Sequence, residues 1–292
     1  MNGVVRKNSR ALRREFAVMT LLAAGVLLIH WRGLDNFFME TDPGWILGLD
    51  FSYPTRFIQR LLLSYPFHDL FGLNPALYRA VNLIVHTLNA YLLYRLMFAL
   101  SEDRFVGFLA GILFVAYDNA GAVLWISCLC YLLAVSFALL CLLCILRYLQ
   151  SGRRNAWGLT IVFYALAILS QENTIPLFAI LFIFEISFRL SRRMSVDTVG
   201  MTFRYAPLVL LSIIAIGIHL RIAAERGWDR DLISLISVGL DPQTLLGFVH
   251  ALIDPIVPNN TGPLVADVFD GLPGLFLIPA VPILAIFVYR LA

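Results

Sequence analysis

The sequence predicts an all-α integral membrane protein of about eight transmembrane helices, on three observations. The 292 residues are 60% hydrophobic and only 14% charged, with a mean hydropathy of +0.82. A soluble domain carries roughly 25% charged residues. The apolar residues gather in blocks that approach or exceed the ~20 residues a helix needs to cross a bilayer. The loops between those blocks are by turns basic and acidic, as they are when successive loops face opposite sides of a membrane. A soluble cytosolic enzyme is excluded, and no nucleic-acid partner is expected.

Eight apolar segments fall at 16–33, 78–99, 105–117, 125–147, 157–171, 174–190, 206–222 and 273–291. The third and fifth are short, so a re-entrant pair is the alternative to two crossings; crossings keep the charge alternation intact. Arg6, Lys7, Arg10, Arg13 and Arg14 precede the first segment as they would in a signal peptide. No small-x-small cleavage site precedes Trp31-Arg32, so the segment reads as a retained helix. Under this scheme 15 of the 22 basic residues and five acids fall on one side, against seven basic residues and 14 acids on the other. Basic loops stay in the cytoplasm. The N-terminus is therefore expected there, in a multi-pass protein of a bacterial inner membrane. The chain reads as a single membrane domain, 1–292, with a basic tail at 1–15 and long extracytoplasmic loops at 34–77 and 223–272.

Each long loop carries an expected amphipathic surface helix. At 53–63, Pro54 sits near a first turn, and Arg56 and Arg60, four apart, share one side. Those arginines suit lipid headgroups or a substrate phosphate. In the second loop, Asp241-Pro242 supplies an N-cap and a first-turn proline for a helix at 245–253, which stops before Pro255 and Pro258. Asn259-Asn260-Thr261 matches a glycosylation sequon, a pattern that chance also produces. Cys128, Cys130, Cys141 and Cys144 share one apolar segment with no His or carboxylate beside them, so they read as packing residues. Trp31, Trp45, Trp125 and Trp228 fall near the expected interfaces as aromatic anchors.

Polar side chains at membrane depth are costly, and their positions are informative. Arg79, Asn82, His86 and Asn89 recur at spacings of three, four and three, which puts them on one helical face. They must meet other helices, as hydrogen-bonding residues, or a wet cavity; a stripe headed by an arginine favours the cavity. Glu40, Asp42, Asp118 and Glu172 lie at the acidic ends of segments. Converging carboxylates can bind a divalent cation or raise one another's pKa towards a general base, although acids are common on that side anyway. Ser170-Gln171-Glu172-Asn173 is a polar turn too tight to be a flexible loop. Glu185 lies four residues before Arg189 and is expected to pair with it, with no catalytic role.

The run Phe71-Gly72-Leu73-Asn74-Pro75-Ala76-Leu77-Tyr78-Arg79-Ala80-Val81-Asn82-Leu83-Ile84-Val85-His86-Thr87-Leu88-Asn89-Ala90 resembles the second-helix entry of bacterial GT-C type glycosyltransferases, relatives of the protein O-mannosyltransferases. The stretch 111–127 resembles their third and fourth helices, and Leu169-Ser170-Gln171-Glu172-Asn173-Thr174 resembles their L-S-K-E-T turn. The resemblance covers about residues 15–190, in the family's order. It implies a GT-C-like core and inverting transfer of a sugar from a polyprenyl-phosphate donor to an acceptor hydroxyl on the extracytoplasmic side. The family's catalytic aspartate falls on Asp42, with Glu40 beside it; Arg56, Arg60 or Arg79 would meet the lipid phosphate. Asn82, His86 and Glu172 would line the substrate site, and no cofactor beyond a candidate divalent metal at the acids is implied. Three departures leave catalysis open. Thr41 separates the two acids, Gln171 stands where lysine is usual, and Tyr117-Asp118-Asn119-Ala120-Gly121-Ala122 lacks the family's His and Glu. The chain is also short for the family. The alternative is a non-catalytic GT-C-like subunit that binds lipid or scaffolds other membrane proteins. A transporter using the polar stripe ranks below both, because no internal repeat is present.

Overall fold

The structure, a computed structural model, describes residues 2–38, 42–47, 56–116 and 123–225. Glu40, Asp118, Trp228, the expected helix at 245–253, the sequon at 259–261 and the apolar segment at 273–291 lie outside the described residues. Every regular element among the described residues is helical. In chain order they are α1 (Asn2–His30), a 3-10 turn (Trp31–Asp35), α2 (Asp42–Ile46) and α3 (Phe57–Leu62). A π-turn (Leu63–Phe67), α4 (His68–Phe71), α5 (Pro75–Ser101) and α6 (Arg104–Ala116) follow. A 3-10 turn (Ile126–Cys128) leads into α7 (Leu129–Ser151), then α8 (Arg154–Ser170) and a turn (Glu172–Thr174). The last two are α9 (Leu177–Ser191) and α10 (Thr198–Glu225).

Five stretches are long and apolar enough to cross a membrane: Leu12–Leu34, Pro75–Ser101, Ile126–Ser151, Glu172–Ser191 and Thr198–Ile222. α6, with 13 residues, and α8, with 17, are apolar but shorter; at ~1.5 Å per residue neither reaches the ~30 Å of a hydrocarbon core by itself. Exposure is inverted relative to a soluble protein. Leu28, Ile84, Leu113, Ile183 and Ile213 are exposed, whereas Arg79, Asn82, His86, Asn89 and Glu185 are buried. Water rewards the opposite arrangement, and lipid rewards this one. The chain is a multi-pass membrane protein.

α5 is the central helix, packed against α1, α6 and α7. Two tight connections make antiparallel pairs. Glu102 joins α5 to α6 in the left-handed region, at φ +61°, with its N–H on Phe98 O. The Asp103 carboxylate then accepts the Phe105 N–H at 2.8 Å and caps α6. Gly152 ends α7 at φ +66°, the position where a missing Cβ relieves strain. α6 reaches α5 through Gly107 and Gly111, one turn apart. A Cβ built on Gly107 would stand 2.8 Å from Tyr94 O, and one on Gly111 would stand 3.2 Å from Ala90 O. Small residues at this spacing let membrane helices approach closely. Gly107→Val is therefore expected to destabilise the α5–α6 pair by about 1–3 kcal/mol. A lower midpoint in detergent-mediated unfolding is the readout, and an unchanged midpoint would mean the contact is looser than described.

The basic end is tied by ion pairs. Arg192 meets Glu102 at 3.0 Å, and Arg95 meets Glu15 at 3.7 Å. Glu185 pairs with Arg189 at 2.8 Å, as its spacing predicts, and also with Arg204 of α10. The four cysteines are free thiols packed in or just before α7, consistent with a packing role.

One sequence expectation changes in kind. The described part of the first surface helix, Phe57–Leu62, docks on the bundle against α7 and α8. Its polar Gln59 points inward and is fully buried, while Phe57 and Leu61 point outward. A polar partner inside the protein and apolar residues outside are what a lipid-facing helix requires. Leu63, just after it, joins Ile46, Tyr78, Ile126 and Leu129 in a small apolar cluster at the end of the bundle away from the N-terminal tail, termed the far end below.

Candidate functional site

The far end is organised around a short run of non-helical backbone. Leu124 ends a helical stretch, and Trp125 and a 3-10 turn at Ile126–Cys128 then lead into Leu129, the start of α7. The turn uses Trp125 O and Ile126 O to accept the Cys128 and Leu129 N–H groups, and lipid offers no donor for the acceptor capacity that is left. Side chains supply further donors. Arg79 Nε donates to Leu124 O at 2.9 Å, Asn82 Nδ2 to Trp125 O at 3.0 Å, and Gln59 Nε2 to Ser127 O at 2.6 Å. One turn further in, Asn89 Nδ2 donates to Leu132 O at 2.9 Å, and Ser136 Oγ donates to Asn89 Oδ1 at 2.6 Å.

These contacts explain most of the polar stripe on α5. Arg79 also gives its two terminal nitrogens to Asn36 O and Phe37 O, so the guanidinium clamps the end of the α1 connection to the start of α7. Arg79, Asn82 and Asn89 thus act as interhelical hydrogen-bonding residues, the reading the sequence ranked below a cavity. The physical reason is what lies opposite, the carbonyls at the helix break 124–125 for Arg79 and Asn82 and Leu132 and Ser136 of α7 for Asn89, which periodicity in α5 could not reveal. His86 differs from the other three. It is fully buried, stacks on Phe114 with ring centroids 5.0 Å apart, and meets the His30 ring edge-on at 5.8 Å. Neither of its ring nitrogens has a hydrogen-bond partner among the described residues.

Two sequence-predicted acids reach the same hub from separate elements. Asp42, in the first turn of α2, is fully buried, and its Oδ1 accepts the Ser127 N–H at 2.9 Å. Glu172, in the turn between α8 and α9, receives Arg56 Nη2 at 3.3 Å. The Arg56 guanidinium also lies over the Tyr131 ring, 5.7 Å from its centroid, a cation–π contact that holds it beside the mouth of α7. Arg60, one turn on along α3, is half-buried. Ser170, Gln171 and Thr174 are buried, so the polar turn is a packed element as its tightness predicts.

This chain matches no known protein family, no curated protein and no solved structure. What the site can do must be read from its own chemistry. It presents one buried carboxylate, one arginine–carboxylate pair and a second arginine on the same helix. It also holds three buried polar atoms with no hydrogen-bond partner among the described residues: Gln59 Oε1, Gln171 Oε1 and Trp125 Nε1. Orphan polar atoms concentrated at one place mark where a polar ligand or solvent finds partners. Among the described residues, no three of His, Cys, Asp and Glu are grouped to hold a metal ion.

Gln59 and Ser127 escaped the sequence reading. A lone glutamine between two arginines looks like part of a wetted face, and Ser127 meets Gln59 and Asp42 through its backbone, which side-chain reading does not weigh. The available signal was the Trp-Ile-Ser-Cys run at 125–128, which carries less helical propensity than the leucine-rich residues after it.

Proposed function

We propose that the far end of this protein transfers a sugar from a polyprenyl-phosphate donor to an acceptor hydroxyl. In this reading the core is GT-C-like, with about eight crossings and its N-terminus in the cytoplasm of a bacterial membrane. The observation that carries it is the meeting of Asp42, Arg56 and Glu172 around residues 124–128, from elements up to 130 positions apart in the sequence. Asp42 takes the proton of the acceptor hydroxyl as that oxygen bonds to the anomeric carbon. The bond from that carbon to the phosphate oxygen breaks, and the lipid phosphate leaves with the electron pair. Arg56, oriented by Glu172, and Arg60 meet its charge. Arg79 stays with the backbone carbonyls and fixes Leu124, three residues before the Ser127 N–H that Asp42 accepts.

One observation favours a second reading, a non-catalytic membrane subunit that binds lipid or scaffolds partner proteins. The Asp42 carboxylate is fully buried and already bonded to a backbone N–H, as a structural cap is. Purified protein assayed with a polyprenyl-phosphate sugar separates the two. Asp42→Asn keeps an acceptor for the Ser127 N–H and is expected to fold, while transfer falls at least about 100-fold. Undiminished transfer in that variant removes Asp42 as the base. No transfer and no donor binding by the unaltered chain, with stable co-purification of other membrane proteins, selects the subunit reading.

A further inference from the structure

At the opposite, basic end, α5 and α7 enclose a cavity of about 340 Å³ that the far-end chemistry does not use. The volume falls within the roughly 300–1,000 Å³ of small-ligand sites. Arg95 and Phe98 of α5 and Glu102 just after it line one side, and Leu143, Arg147 and Gln150 of α7 line the other. Both sets repeat at three or four residues over seven positions, so each is one face of its helix, two turns or about 10 Å long. The cavity is a groove between two membrane helices, apolar on its walls and cationic from both sides.

The charges do not cancel within the groove. Glu102 is met by Arg192 at 3.0 Å, which offsets its repulsion of an anion. Arg95 holds Tyr91 Oη at 3.1 Å and reaches Glu15 only at 3.7 Å, so its remaining N–H groups are open to another acceptor. Arg147 is exposed and pairs with no acid among the described residues. Two guanidiniums facing one groove repel each other unless an anion lies between them. Phe98, Ala99, Leu143 and Leu146 between those charges offer an apolar surface on which an acyl chain can lie.

We infer that this groove binds an anionic phospholipid, with the phosphate between Arg95 and Arg147 and an acyl chain along Phe98 and Leu143. This site stands whether or not the far end transfers a sugar.

The test is lipid retention by the full chain extracted from mixed vesicles of phosphatidylcholine and phosphatidylglycerol, read by native mass spectrometry. The unaltered protein should retain phosphatidylglycerol in preference. Arg147→Gln and Arg95→Gln should each lower that preference about fivefold, and the double variant about 25-fold. Ala99→Trp, which fills the groove and keeps both arginines, should also abolish it. Arg153→Gln, at the same end but outside the groove, should leave it unchanged. Equal retention in the double variant overturns the site, and so does an equal loss in Arg153→Gln, which would indicate general surface charge. In detergent, inorganic phosphate that stabilises the protein as much as phosphatidylglycerol does would overturn the lipid assignment in favour of a free anion.

Discussion

Replacing Arg79 with methionine is expected to destabilise the protein by about 3 kcal/mol or more, because three backbone carbonyls lose their donor together. Leu124, Asn36 and Phe37 all receive this one guanidinium, and Arg79 is itself buried. Asn36 and Phe37 are exposed, so solvent partly replaces the donor there, whereas the half-buried Leu124 carbonyl retains most of its desolvation penalty. Arg79→Lys keeps the charge but not the planar fork, and is expected to recover only part of the loss. Detergent-mediated unfolding gives the global readout. A local readout is built into the chain, because Cys128 sits at the hub and is only partly exposed. Its alkylation should accelerate in Arg79→Met. Unchanged unfolding and unchanged alkylation would mean that the clamp contributes little.

The second large effect lies at the other end of the bundle. Glu185→Ala is expected to cost about 3–5 kcal/mol, because it strands two guanidiniums that a buried carboxylate now neutralises. Oε1 of Glu185 accepts from Arg189 at 2.8 Å and from Arg204 across the α9–α10 contact. Arg204 is further fixed by Tyr148 Oη at 2.9 Å and lies 5.2 Å from the Tyr148 ring centroid, so it cannot simply swing away. The discriminating measurement is the double variant Glu185→Ala/Arg204→Met. Removing the stranded charge should recover part of the loss, so the double variant should be more stable than Glu185→Ala alone. If the two losses simply add, Glu185 acts through packing and not through charge.

Much of the fold was legible one helix at a time. Each of the first seven apolar segments falls within or close to a described helix, since burial in lipid demands continuous apolar length and leaves that record in sequence. The Glu185–Arg189 pair was equally legible, because four residues on a helix is a fixed distance. Arg204, the second partner of Glu185, was not, because it arrives from another helix. The polar stripe on α5 shows the same boundary. Periodicity placed Arg79, Asn82, His86 and Asn89 on one face, but what that face meets comes from elsewhere in the chain: Leu124 and Trp125, His30 and Phe114, and Leu132 and Ser136. The same holds for α3: spacing found an amphipathic helix, yet only packing shows Gln59 turned inward to Ser127 and Phe57 turned outward.

The sequence by itself determined that this is a multi-pass helical membrane protein, with basic and acidic connections in alternation. Those properties follow from local composition and from the distance a helix needs to cross hydrocarbon. Only the tertiary structure decided that Asp42, Arg56 and Glu172 share one hub, that Arg79 serves the backbone, and that two arginines line a groove at the basic end. Each of those depends on contacts between residues far apart in the chain. Such contacts are chosen by where irregular backbone and buried charge find partners in a medium that offers none.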